Sequence, residues 1–257
     1  MLRRFRKNLA ESNFGLIGLE LVVLILGILI AFQIDRWAEE IRERNQEYEY
    51  LLRLKADLKI ELQSMDTALE FAISRVADIE FLEEVVANPD ALIEQLGAVP
   101  IAMEMASWRS FPQINAFVYT ELQTSGKLAL IRSEELRRKL ANHYTTIQHY
   151  SQFGFDVESE HHYERLTAGI LTTAELKNIE EGTWSDATIN ISNERAATIN
   201  ISNERALEIT QEFVRRHDAI DLLPTIAQHH IFNRKVVESA RSRAELMIEL
   251  INTLIEG

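Results

Sequence analysis

The chain has 257 residues and a formal net charge of −13, with 27 basic against 40 acidic residues. It contains no cysteine, which excludes disulfide frameworks, zinc–thiolate sites, iron–sulfur clusters and thiol nucleophiles. The acidic balance argues against a nucleic-acid partner, and nine glycines and four prolines are too few for a turn-rich β architecture or a glycine-rich phosphate loop.

The segment 14–34 predicts a transmembrane helix. Its 21 residues are almost all apolar and would span roughly 31 Å as a helix, close to the ~30 Å of a hydrocarbon core. Its fifteen Leu, Ile, Val and Phe side chains favour insertion by on the order of 5–9 kcal/mol. That gain exceeds the ~3 kcal/mol cost of one ionised carboxylate, Glu20. A secretory signal peptide would have a shorter apolar region followed by a small-residue cleavage site.

The flanks of this segment predict its orientation. The short tail 1–13 carries four basic residues, Arg3, Arg4, Arg6 and Lys7. Because positive charge favours the cytoplasmic side, the tail is expected in the cytoplasm at a bacterial inner membrane, and residues 35–257 in the periplasm. Trp37, just beyond the span, is expected to act with the basic tail as an anchor at the membrane interface.

Glu20, Gly27 and Ala31 share one stripe of the predicted membrane helix. Small residues let another helix approach closely, and a carboxylate inside the apolar layer usually faces protein or water. The stripe is therefore expected to dock on another membrane helix. The alternatives are a Glu20 that is protonated or hydrated near the headgroups, and a proton relay, for which a lone span offers no second titratable group.

Residues 37–87 predict one long amphipathic helix, which contains no Gly or Pro. Apolar residues recur at intervals of three or four, at Leu51, Leu54, Leu58, Leu62, Met65, Leu69, Ala72, Val76, Ile79, Leu82 and Val86. Charged residues are expected on the opposite face, and Pro89 ends the helix. Such a stripe is either a coiled-coil seam or the inner face of an antiparallel bundle, and the helical segments that follow favour the bundle.

The remaining sequence predicts further helices, so the expected fold class is all-α. After a loop region at 89–112, residues 113–123 form a short helix that ends at Gly126. Its inward side chains are expected to be Ile114, Phe117, Val118 and Leu122. Ser133 caps a helix that is expected to reach Ile170 with a weak point at Gly154. Pro224 suits the first turn of a last helix that continues to the C-terminus.

Residues 187–196 recur identically at 197–206. An exact tandem copy suggests a duplication tolerated where nothing is tightly packed, so 187–206 is expected to be a surface insertion. Ser202 or Asn203 then starts a helix toward Leu222. Because the copied residues also alternate as in a strand, a small hairpin is the alternative.

Three stretches resemble a known family. They are Ile-Gly-Leu-Glu at 17–20, Leu-Ile-Ala-Phe-Gln-Ile-Asp-Arg-Trp at 29–37, and Leu-Gln-Thr-Ser-Gly-Lys-Leu-Ala-Leu-Ile at 122–131. Together they resemble a bacterial family of single-span membrane proteins of unknown function, with a basic tail, a Glu-containing span and an acidic helical domain. The resemblance implies this architecture and carries over no catalytic residue. The chain departs from the family pattern at Phe32, at Asp35–Arg36 and in the tandem repeat.

No catalytic, metal or cofactor site is assigned. Glu158 and His161 have the spacing of one di-iron half-site, but a second copy is missing and His229–His230 lacks a preceding acidic residue. A solvated helical face is therefore the favoured interpretation. Aromatic residues between Trp108 and Tyr163 are expected to belong to the core, and the alternative is a pocket for a small apolar ligand.

These patterns predict a non-enzymatic, single-pass accessory or scaffolding subunit that docks on a larger respiratory, photosynthetic or transport complex. The expected partners are the lipid bilayer and other membrane-protein subunits, and self-association through the long helix is left open. The alternative is an extracytoplasmic sensor or small-ligand-binding module that signals through a partner. A third hypothesis, a di-metal bundle enzyme, would require stoichiometric metal.

Overall fold

A computed structural model describes residues 14–88, 95–153, 157–184 and 201–256, and these ranges are all-α as expected. The basic tail with Arg3, Arg4, Arg6 and Lys7 lies outside the described residues, as do Gly154 and positions 187–200 of the tandem repeat. The helices are α1 (Phe14–Ala87), α2 (Val99–Met105), α3 (Phe117–Thr124), α4 (Glu134–Phe153), α5 (Glu158–Thr167), α6 (Thr173–Trp184), α7 (Asn203–Val214), α8 (His217–Ile220) and α9 (Leu223–Glu256).

Helix α1 joins the apolar segment and the amphipathic segment into one helix of 74 residues, about 110 Å long. Its apolar beginning is exposed, Glu43 and Glu47 pair with Arg132, and its second half forms the centre of a bundle. Seven predicted inner-face residues are buried, namely Leu51, Leu54, Leu58, Met65, Ala72, Ile79 and Leu82. The four others, Leu62, Leu69, Val76 and Val86, are half-buried. The helical period alone was sufficient to find this face.

The stripe is the inner face of an antiparallel bundle, because α9 runs back along α1. Three clusters mark the alignment. The lower cluster joins Leu51 and Leu54 to Ile251, the middle cluster joins Met65 to Val237, and the upper cluster includes Ile79, Leu82 and Ile226. Arg241 reinforces the middle level, with its Nε 2.6 Å from Oδ1 of Asp66. Helix α4 contributes Leu136 and Leu140 to the lower cluster and runs in the same direction as α1.

The expectation that charged residues of α1 lie only on its outer face is wrong. Glu61, Arg75 and Asp78 are buried among the apolar inner-face residues. Glu61 is held by side chains of α4, and Arg75 forms an ion pair with Asp78 at 3.0 Å. Burial is tolerated because each charged group finds a partner inside the bundle.

The region 89–112, expected to be a loop, contains the buried helix α2. Six of its seven residues are buried, and the proline at position 100 lies in its first turn, where a missing N–H costs nothing. The short helix α3 begins at Phe117 rather than at residue 113, and the backbone N–H of Val118 donates to Asp57 Oδ2 at 3.0 Å. In this register Phe117 is 71 % exposed, so its expected inward position is wrong, whereas Val118 and Leu122 are buried.

The ends of the later helices match the sequence signals in part. Gly126 has φ 72° after α3, and Ser133 Oγ accepts from the N–H of Leu136 at 3.2 Å. The single helix expected from Ser133 to Ile170 is wrong, because α4 ends at Phe153 and α5 starts at Glu158. Ser202 caps α7 as expected, but that helix ends at Val214, and α8 separates it from α9.

Candidate functional site

The part of α1 up to Ile34 is an apolar surface that the bundle leaves bare. Among the described residues, α1 is long and apolar enough to cross a membrane, with a mean hydropathy of 2.2 over its most apolar 18 residues. Twelve large apolar side chains from Leu19 to Ile34 are 49–65 % exposed. At on the order of 1 kcal/mol for each half-exposed side chain, contact with water would be costly. The length and hydropathy of the segment are compatible with a membrane span.

The stripe of Glu20, Gly27 and Ala31 lies on this bare part of α1, and all three residues are exposed. A Cβ at Gly27 would meet nothing within 4 Å, so its face is open to an approaching helix. Trp37, also exposed, follows where the apolar segment ends. The structure thus leaves the predicted docking stripe and interfacial residue accessible, and docking itself stays a prediction.

A second candidate site is a cavity of about 810 Å³ within the bundle. It lies between α3, α4, α9 and the segment before α3, and its volume is within the range of small-molecule sites. Its walls include Phe111, Ile114, Tyr119, Tyr144, Asn233 and Val237. The rings of Tyr119 and Tyr144 stack with centroids 4.7 Å apart. The aromatic residues are therefore divided: Tyr119, Tyr144 and Tyr163 are buried, whereas Phe111 and Phe117 are exposed.

The polar side chains that the structure describes in the cavity wall are uncharged. Its described lining residues include the amides of Gln123, Gln148 and Asn233, and none of these described residues is ionisable apart from the two tyrosines. Burial raises the pKa of both Tyr119 and Tyr144, so their hydroxyls remain protonated at neutral pH. Such a site suits a neutral molecule with an apolar body and a hydrogen-bonding group.

A buried polar cluster lies directly behind Tyr144. The hydroxyl of Tyr144 donates to Glu61 Oε1 at 3.0 Å, and His143 Nε2 lies 3.0 Å from Glu61 Oε2. Glu61 and His143 are fully buried, and within the described chain the other ring nitrogen of His143 has no hydrogen-bond partner. The charge of Glu61 adds to the effect of burial in raising the pKa of Tyr144. The cluster ties α1 to α4 at the wall of the cavity.

A second polar cluster joins the segment after α2 to α5 and α9. Arg109 forms an ion pair with Glu160, with its Nε 2.8 Å from Oε1, and His229 Nδ1 lies 3.1 Å from the same oxygen. The expectation of a solvated face at 158–162 therefore fails for Glu160, which is buried, although Glu158, His161 and His162 are exposed. In the described ranges there is no group of three or more acidic or histidine residues placed to hold a metal.

Sequence reasoning missed these clusters, although one signal was present. Glu61 follows Leu58 by three residues and precedes Met65 by four, so it falls on the apolar face of α1. A charged residue at such a position predicts a buried partner. Nothing in the sequence, however, indicates that His143 and Tyr144 supply it.

Comparison with known proteins places more than half of the chain in one family. A sequence profile described as "Family of unknown function (DUF6090)" matches residues 20–159. The matched segment begins at Glu20 and contains most of α1, all of α2–α4 and the Glu61 cluster. No curated protein and no solved structure shows a significant match.

Proposed function

Since the chain belongs to DUF6090, a family of unknown function, we propose its role from the structure: a non-enzymatic, single-pass accessory or scaffolding subunit of a bacterial inner-membrane complex. Residues 14–34 form the anchor, residues 1–13 lie in the cytoplasm, and the helical domain lies in the periplasm. The larger complex is of the respiratory, photosynthetic or transport kind.

One observation carries this proposal. The same helix supplies a bare apolar half and the central helix of the bundle. Because α1 continues without a break from one half to the other, the bundle is held rigidly relative to the anchor. A rigid link is what a scaffold needs, since it fixes a folded domain at a defined position beside a membrane partner.

The stripe of Glu20, Gly27 and Ala31 is the proposed contact with that partner. A carboxylate in the apolar layer costs about 3 kcal/mol when lipid surrounds it, and a polar group on a neighbouring helix removes that cost. The open space at Gly27 allows a close helix–helix contact. The partner is therefore expected to present a hydrogen-bond donor or a basic group opposite Glu20.

Purification of the tagged full chain from its native membranes in mild detergent, followed by mass spectrometry, tests the proposal. Other membrane polypeptides should co-purify with the unmodified chain. Their recovered amount should fall at least tenfold with Glu20→Leu or Gly27→Leu. Gly18→Leu is the matched control, because Gly18 also has open space but lies on the opposite side of the helix. Recovery without any other membrane polypeptide, or equal recovery for all variants, contradicts docking through this stripe.

The cavity favours a second candidate function, a small-ligand-binding module that signals through a partner. Its size and uncharged lining suit a neutral aromatic or lipid-like molecule. A matched pair of probes, 2-naphthol and the anionic 2-naphthoate, tests it by thermal unfolding of the full chain in amphipol. Because a ligand at a hundred times its Kd stabilises by about 2.7 kcal/mol, 2-naphthol should raise Tm by several degrees and 2-naphthoate should not.

Two substitutions test whether a rise in Tm caused by 2-naphthol comes from binding in this cavity. Val237 is buried in the cavity wall, so Val237→Trp should abolish the response to 2-naphthol. Ile73 is exposed on the outside of α1, and Ile73→Trp should leave the response unchanged. Equal stabilisation of both variants, or none of the unmodified chain, excludes this cavity as the site for such ligands.

A further inference from the structure

The stretch of α1 between the apolar segment and the bundle carries apolar side chains that the rest of the described chain does not cover. We call residues 35–49 the stalk. Its side chains are exposed except for the half-buried Ala38 and Glu47. At 1.5 Å per residue the stalk is roughly 22 Å long, whereas the interfacial layer of a bilayer is about 5–7 Å deep on each side. Most of the stalk therefore stands in water.

The exposed apolar residues of the stalk follow a heptad pattern. Ile41 and Tyr48 of the stalk are spaced by seven from each other and from Ile34, the last residue of the apolar segment. Trp37 follows Ile34 by three, and Ile30 of the apolar segment precedes Ile34 by four. These intervals place Ile34, Ile41 and Tyr48 at a positions and Ile30 and Trp37 at d positions of a coiled coil. Ile41 is 40 % exposed and Tyr48 is 48 % exposed. The part of this stripe beyond the apolar segment, formed by Trp37, Ile41 and Tyr48, is expected to be covered by another helix.

This stripe is distinct from the face that the bundle covers. At 100° per residue, the stalk stripe lies about 100° around α1 from the face formed by Leu51, Leu54 and Leu58. The next core position of the heptad after Tyr48 is Leu51, which is buried in the bundle, so the stalk seam ends at Tyr48. Leu52 beside it is exposed at a flanking e position. A helix that packs on the stalk stripe therefore leaves the contacts of α4 and α9 undisturbed.

We propose that the stalk forms a parallel two-stranded coiled coil with a second copy of this chain. The a positions Ile34 and Ile41 are β-branched, as in two-stranded coiled coils, whereas the d positions Ile30, Trp37 and Arg44 do not carry the Leu that usually accompanies them. Two copies anchored in one membrane are parallel by necessity. In that arrangement the flanking pairs between copies are Gln33 with Ala38, Glu40 with Asn45, and Glu47 with Leu52, none of which brings like charges together.

The size of the seam agrees with a membrane-assisted dimer. Two stalks paired from Ile34 to Tyr48 form an interface smaller than the ~1,200–2,000 Å² of a standard stable complex. Confinement of both copies to one membrane raises their effective concentration, which compensates for a small area. Arg44 occupies the d position between Ile41 and Tyr48 and faces its own copy, so it weakens the pairing. Its substitution by an apolar residue is expected to strengthen the dimer.

Pairing of two stalks concerns the aqueous part of α1 and is separate from docking through the stripe of Glu20, Gly27 and Ala31. In a straight helix the stripe of Glu20, Gly27 and Ala31 is turned about 80° from the stalk stripe. The supercoil is confined to the aqueous stalk, because a left-handed supercoil continued into the membrane would bring Gly27 and Glu20 onto the line of the a positions. The membrane stripe then keeps its own direction, and substitutions in the stalk and in the stripe test the two contacts separately.

The absence of native cysteine allows a direct test by cysteine cross-linking of the full chain in membranes. Single variants at the seam are Ile34→Cys, Trp37→Cys, Ile41→Cys and Tyr48→Cys. Single variants outside the seam are Arg36→Cys, Glu39→Cys, Arg42→Cys and Gln46→Cys. With copper phenanthroline as oxidant, disulfide-linked dimers should form at least fivefold more at the seam positions. Equal yields at both sets, or no dimer at seam cysteines that react with a maleimide, overturns the proposal.

Two further substitutions, placed in the Trp37→Cys background, complete the test. Arg44→Leu should raise the cross-linking yield at Trp37→Cys, and Ile41→Glu should reduce it at least fivefold. Glu20→Leu should leave the yield within twofold, which distinguishes stalk pairing from docking in the membrane. Ile41→Glu should in turn leave co-purifying membrane subunits unchanged. If neither Arg44→Leu nor Ile41→Glu changes the yield of disulfide-linked dimer at Trp37→Cys, the proposed seam is wrong.

Discussion

His230 donates a hydrogen bond from its Nε2 to the carbonyl oxygen of Ala106, 2.9 Å away. Both residues are buried, and the bond joins α9 to the chain just after α2, the helix that sequence analysis did not find. Burial lowers the pKa of His230 to about 4, because a desolvated site penalises the charged imidazolium. Burial therefore keeps His230 neutral, although its bond to Ala106 by itself favours the protonated imidazolium.

This histidine makes the bundle sensitive to acid. The unfolded chain binds a proton at His230 near pH 6.5, whereas the folded chain resists protonation down to about pH 4. The stabilisation is present above pH 6.5 and is lost as the pH falls, by about 3 kcal/mol at pH 4. Urea unfolding of the full chain between pH 7 and 4 measures this loss of stability. His230→Gln, which keeps a donor but does not titrate, should lose less stability over that range, and identical pH profiles would contradict this assignment.

The cluster around Glu61 is expected to be strongly coupled. Glu61→Ala removes the acceptor of Tyr144 and the partner of His143, and should lower the free energy of unfolding by about 3–5 kcal/mol. A double-mutant cycle of Glu61→Ala with Tyr144→Phe should give a coupling energy of about 1–3 kcal/mol. A control cycle, in which Thr67→Ala at an exposed residue replaces Tyr144→Phe, should give a coupling energy of nearly zero. Additivity in both cycles would show that the hydrogen bond from Tyr144 contributes nothing to the free energy of unfolding.

Gly126 is needed for its backbone conformation. Its φ of 72° lies in the left-handed region, and a Cβ there would meet no atom within 4 Å. Gly126→Ala should therefore destabilise the bundle by about 1–2 kcal/mol through backbone strain alone. Gly126→Asn should cost less, because asparagine adopts this conformation more readily. Urea unfolding of both variants measures the difference, and a neutral Gly126→Ala would be inconsistent with this explanation.

The proposed orientation can be tested with two single cysteines in the cysteine-free chain. Ser125 is exposed in the turn after α3, and Asn8 lies in the basic tail. In spheroplasts of an expression host, a membrane-impermeant maleimide should label Ser125→Cys fully and Asn8→Cys at least tenfold less. Both should react after lysis. The reverse pattern would place the helical domain in the cytoplasm.

Local patterns predicted the elements that depend on a single helix. The inner face of α1 follows from the helical period, and the Ser133, Ser202 and Gly126 signals mark real helix ends. The short helix α2 escaped prediction because a proline and a glycine in and before it are typical of loops. Phe117 was misplaced because the start of α3 is set by Asp57, a residue of another helix.

By itself the sequence determined the all-α class, the apolar segment of α1 and the face that α1 buries, because composition and period are properties of neighbouring residues. Only the tertiary structure decided which polar groups are buried and what surrounds them. Glu61 meets Tyr144 at a separation of 83 residues, and Arg109 meets His229 at 120. The cavity likewise needs side chains from three separate helices. Such contacts depend on how the helices pack against one another, which is not encoded in the spacing of residues along any one of them.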